Sequence, residues 1–112
     1  MKRTKVVLDF VTYPVVEKVA FYRNIAIQLA DTSLFANLPS ALSTIKAVID
    51  DFESALLAAK DGAHSAIAIR NDKEVVADEL FRNLAAYVNT VASGNETLII
   101  QSGFHASKQP SQ

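Results

Sequence analysis

Two histidines, His64 and His105, are the only imidazoles in the 112 residues, and no cysteine accompanies them. Metal centres in helical bundles draw carboxylates and histidines from facing helices, commonly with Glu-x-x-His spacing. Neither histidine sits in that motif. Asp61-x-x-His64 has a helical spacing, but Gly62 interrupts it, so His64 reads as a first-turn surface residue. His105 reads as a solvent-facing residue of a terminal strand. Covalent catalysis needs a nucleophile beside a base that a third group orients. The serines fall at expected caps and loops, and no Gly-x-Ser-x-Gly elbow is present. The three glycines, Gly62, Gly94 and Gly103, each come where a helix should stop, which argues against a phosphate-cradling loop. Asp50, Asp51 and Glu53 form an acidic cluster that reads as the solvated face of a bundle helix. Lys73 falls within an apolar stripe. A lysine there lays its stem along a groove and lifts its ammonium to water, whereas a catalytic lysine needs desolvation and a cleft. The expectation is a non-enzyme, with no catalytic, metal or cofactor-binding set and no cofactor.

The elements that must position these residues are mostly helical. From Ser65 to Ala92, apolar residues recur at Ala66, Ile69, Val76, Leu80, Leu84, Tyr87 and Val91, the spacing of one buried helical face. At 1.5 Å per residue this helix is roughly 40 Å long, and shorter helices must lie against it. An earlier helix, about Pro39 to Lys60 with Ser40 as a capping hydroxyl, carries Leu42, Ile45, Ile49, Phe52, Leu56 and Ala59. Asp61-Gly62 ends it, making an αα-hairpin. Folding about that turn sets position 73 opposite position 50, so Lys73 is expected to pair with Asp50 and Arg70 with Glu53.

The first helix starts at Thr12-Tyr13-Pro14 and runs to about Ala30, with Val15, Val19, Tyr22, Ile25, Ala26 and Leu29 inward. Phe21 and Ile27 project from different sides, about 120° apart at 100° per residue. That apolar surface is wider than one neighbour needs. Either this helix is sandwiched between two others, the more heavily weighted option, or part of it meets another protein. Leu34, Phe35 and Leu38 anchor the following loop over the bundle end. Asn95 caps a short helix, Glu96 to Gln101. Lys5 to Val11 and Gly103 to Lys108 are the two extended candidates, and together they predict an antiparallel clasp of the chain ends. The expected fold is mainly α: an antiparallel bundle of three long helices plus one short helix, closed by that two-stranded clasp. It forms one domain over residues 1–107, followed by a polar tail over 108–112.

Half of the residues are hydrophobic and 21% are charged, with a net charge of −1, which is ordinary globular composition. The near-zero charge disfavours nucleic acid, leaving only a small basic arm of Lys2, Arg3 and Lys5. The apolar run Val6 to Leu8 is too short for an export signal, and no window approaches a membrane span, so the expected location is cytoplasmic, with signal-independent export or a virion-like assembly left open.

Several segments together resemble a known group. They are Lys5-Val6-Val7-Leu8-Asp9-Phe10, Ala55-Leu56-Leu57-Ala58-Ala59-Lys60-Asp61-Gly62, Leu84-Ala85-Ala86-Tyr87-Val88-Asn89, Ala92-Ser93-Gly94-Asn95-Glu96 and Ser102-Gly103-Phe104. The chain is similar over nearly its whole length to the helical N-terminal domain of small uncharacterised Gram-negative bacterial proteins. Longer members carry a fibronectin type III domain after the helical part. The resemblance implies a helical bundle and no particular activity. The chain departs from it by ending at Gln112 without a β-sandwich, and by Asn95 where the group has Asp.

The functional expectation is a structural or protein-interaction module, a small scaffold or assembly component such as a phage-like one. Its partner would be a protein or a second copy in a dimer, met through Phe21, Ile27 and Phe104. The alternative is a small ligand-binding or regulatory bundle, one version of which contacts nucleic acid through the basic arm.

Overall fold

The structure, a computed structural model, describes residues 4–30 and 33–107. Lys2, Arg3 and the tail from residue 108 lie outside the described residues. Helix α1 spans Val15–Leu29, α2 Leu42–Ala58, α3 His64–Ala92 and α4 Glu96–Gln101. The expected bundle of three long helices and a short one is therefore present. Helix α2 packs against both α1 and α3, side chains of α1 also meet α3 directly, and α4 lies against α3.

The boundaries follow local chemistry, with three departures. Pro14 is the N-cap of α1 rather than a first-turn residue, and no side chain caps that end. Helix α2 begins at Leu42 behind Ala41, so Pro39 and Ser40 stay in the loop. Residues Asp9–Thr12 form a 3₁₀ turn where a strand was expected. A strand there would need a partner along its full length, and the C-terminal segment offers only a short one. What remains of the clasp is a single antiparallel bridge between Val6 and Ala106. Val7 N donates to the His105 carbonyl at 2.9 Å, and Ser107 N to the Lys5 carbonyl at 2.8 Å. Val6 N is taken by the Asn89 side chain of α3 at 2.8 Å, which ties this pairing to the bundle.

The turns behave as expected. Gly62 ends the first arm of the hairpin at φ +83°, a left-handed position that side chains resist. Asn95 accepts from the backbone of Thr97 and Leu98 and so caps α4.

The core sits where α1, α2 and the second half of α3 meet. Ile45, Ile49 and Phe52 of α2 are fully buried, as the three-and-four spacing predicts. On α3 the buried face is rotated from the expected stripe. Ala77, Phe81, Leu84, Ala85, Val88 and Ala92 are inside, whereas Ile69 and Val76 are 52% and 51% exposed. The cause is ring stacking. Tyr22 lies on Phe81 with centroids 3.9 Å apart and planes 5° from parallel, and the small Ala77 and Ala85 flank that ring one turn away on either side. Phe10 lies near the rings of Phe21, Tyr22 and Phe104, each at 5.6 Å, and so seals the end of the core beneath the bridge.

Candidate interaction surface

The buried polar residues account for much of how the helices hold together. Lys18 of α1 is 1% exposed. Its Nζ donates to the Val11 carbonyl at 3.1 Å, to Glu74 Oε2 at 2.7 Å and to Asp78 Oδ2 at 3.2 Å. All three ammonium donors are thereby used. Tyr22, one turn further along α1, donates to the other oxygen of Asp78 at 2.5 Å. Burial, then the bond to Asp78, pushes the Tyr22 phenol far above its ordinary range. Two acids of α3 and two donors of α1 thus satisfy one another, and this set fastens the two helices. Sequence reading missed it because Lys18 looks like any exposed helical lysine. The available signal was its position one residue ahead of buried Val19 and four ahead of Tyr22.

A second set lies at the chain ends. His105 Nδ1 is 2.9 Å from Asp9 Oδ2, and the Tyr13 hydroxyl is 3.2 Å from both of those atoms. His105 is 54% exposed, as expected from sequence, and its ring is in addition held by Asp9 and Tyr13. Burial first and Asp9 second raise the pKa of the Tyr13 phenol. An open depression of about 660 Å³ adjoins this set, lined in part by Asn24, Glu96, Phe104 and His105. An oriented imidazole could serve a nucleophile, but the neighbouring Ser102 is fully buried and its Oγ contacts the Ile99 carbonyl. Among the described residues no group of three or more His, Cys, Asp or Glu side chains is placed to hold a metal ion. No helix among them is long and apolar enough to cross a membrane.

The hairpin pairs differ from expectation by one residue and one partner. Lys73 is half-buried and lies 4.0 Å from Asp51 rather than pairing with Asp50. Arg70 bonds to Asn71, and the expected partner Glu53 is taken instead by Arg23 of α1, which also reaches Asp50 at 2.8 Å. Those bonds, Glu53 before Asp50, raise the Arg23 pKa further. Interhelical charge is thus spent between α1 and α2 as well as within the hairpin.

The three residues expected at an interface part company. Phe104 is 2% exposed and belongs to the core, so it is withdrawn from any contact surface. Phe21 is half-buried, stacked on Phe10 and edge-on to Tyr13. Both follow from the bridge, which folds the C-terminal segment onto that flank of α1. Ile27 alone stands out, 69% exposed. It borders an open groove of about 490 Å³ between α1 and α2, lined by Arg23, Ala26, Ile27, Ala30, Leu42, Lys46 and Ile49. The lining is apolar apart from Arg23 and Lys46, and the alanines leave α1 low at this point. A large aliphatic residue standing beside a shallow apolar recess is a surface suited to docking.

No family model matches the sequence, and comparisons with curated proteins and with solved structures return no match.

Proposed function

We propose that the protein is a non-enzymatic interaction module, a small scaffold or assembly component that docks another protein surface on the α1–α2 groove around Ile27. The observation that carries this reading is Ile27 itself. A side chain of that size, 69% exposed beside an apolar recess, forgoes about 1–2 kcal/mol of burial that a partner would recover. A catalytic use of the side chains is weakened by how they are committed. Lys18, Tyr22, Glu74 and Asp78 are bound to one another within the helix contact, and Arg23, Asp50 and Glu53 brace α1 against α2.

The test is a photocrosslinking amino acid in place of Ile27, expressed in cells that naturally make the protein. Irradiation is expected to give a covalent protein adduct. The same probe at Glu79, an exposed α3 position, should give none. An Ile27 probe that captures no protein would overturn the reading.

A further inference from the structure

Helices α1 and α2 run antiparallel, and their contacts fix the register. Arg23 reaches Asp50 and Glu53, whereas Ile27, one turn later, shares its groove with Lys46 and Ile49. Ile27 therefore stands level with the stretch of α2 between Lys46 and Asp50. Those two residues are four apart and lie on the same side of the helix. They carry opposite charges, both are exposed, and Lys46 has no ion-pair partner among the described residues. The patch thus has that unpaired cation, Lys46, on one side of Ile27, and on the other two acids, Asp50 and Glu53, that share one cation, Arg23, and keep one net negative charge. It holds a projecting side chain and a recess next to each other.

A surface with those properties is complementary to itself. In a two-fold contact the same patch serves both copies, so each feature must meet its counterpart across the axis. We infer that the partner at this groove is a second copy of the chain, arranged about a two-fold axis level with Ile27. That axis sets Ile27 of each copy over the Ala26–Ala30 recess of the other. It also sets Lys46 of each opposite Asp50 of the other, so that one contact is made twice. Arg23 keeps Glu53 as a partner throughout.

The inference rests on the docking role of this groove, and the experiment separates the two. Sedimentation of the full chain over a wide concentration range should show a monomer–dimer equilibrium. Ile27→Asp should abolish the dimer. Lys46→Glu and Asp50→Lys should each weaken it about fivefold or more, because each reversal repels at two symmetric places. The Lys46→Glu/Asp50→Lys double variant should restore it, which a merely destabilised fold would not do. Circular dichroism should show each variant as helical as the parent, since all three positions are exposed and Arg23 keeps Glu53 when Asp50 is changed. A monomer at every concentration, or a dimer indifferent to these changes, overturns the pairing. The photocrosslink at position 27 distinguishes the remaining cases. An adduct of twice the chain mass supports the pairing. An adduct with a different protein overturns it and leaves the docking role standing, and no adduct at all removes both.

Discussion

At the scale of single residues, Lys18 matters most. A lysine drawn almost wholly out of water is costly unless each of its donors is met, and here Val11, Glu74 and Asp78 meet them. Removing it would leave two carboxylates together in the helix contact. Lys18→Met keeps the length of the stem and should lower unfolding free energy by about 3 kcal/mol. That lies at the modest end for a buried pair, because Glu74 and Asp78 remain 25% and 15% exposed and can partly rehydrate. Urea titration of both proteins checks it. Tyr22 makes a second, pH-dependent contribution. Its folded pKa lies above the ordinary 10.0, so the folded state holds the phenolic proton more tightly than the unfolded chain does. The resulting stabilisation is complete below pH 10.0 and is lost as pH rises beyond it towards the raised folded value. Stability should therefore fall on alkaline titration. Tyr22→Phe should lose about 1–2 kcal/mol near neutrality and show a shallower alkaline decline. Chemical denaturation at a series of pH values, with the phenolate absorbance followed in parallel, measures both.

At the scale of elements, much of the architecture is written in periodicity and turn residues, and what is not written there is side-chain competition. The seam of α2 is legible because Ile45, Ile49 and Phe52 are large and regularly placed. The face of α3 is not, because Ala77 and Ala85 look like filler beside Ile69 and Val76. Small residues decide which side of a helix a neighbour can approach, and only the position of Tyr22 reveals that. The groove was half legible. Ile27 follows from its angle on α1, whereas Phe104 was misjudged because a ring in a short terminal segment gives no sign that it will be folded inward. Lys73 found an acid one residue from the expected one, because Arg23 already held Asp50 and Glu53. Gly103 shows an element-level constraint of another kind. It has φ +95°, and a Cβ there would come within 3.1 Å of Asn24 and 3.2 Å of Ile25 on α1. Gly103→Ala should therefore cost about 1–3 kcal/mol and loosen the C-terminal segment from α1. Thermal unfolding reports the first effect, and faster amide exchange at Val7 and Ser107 reports the second.

At the scale of the whole molecule, shape explains the exposed apolar residues. The Cα extents are 51 × 32 × 16 Å, and the radius of gyration is 15.2 Å against about 13 Å for an equidimensional domain of this length. A slab of this kind has more surface and less interior than a sphere, so Val75, Val76 and Ile69 stay outside. The long axis is set by α3, whose fully buried residues all lie from Ala77 onward. Its first turns, ahead of the Lys73–Asp51 and Glu74–Lys18 contacts, should open more readily than the rest. Hydrogen exchange is expected to be faster over residues 64–72 than over 80–90, and uniform protection along the helix would contradict this account.

The bridge between Val6 and Ala106 has a practical corollary. Lys5 and Ser107 are one hydrogen bond apart, while the Gly62 turn lies in the exposed loop joining the hairpin helices. A short linker could close the polypeptide into a ring at the first place, and a cut could reopen it at the second. The permuted chain would begin with α3 and end with α2, yet it would retain every helix contact described above. It should fold to the same helical content, which would mean that the order of segments along the backbone is incidental to this architecture.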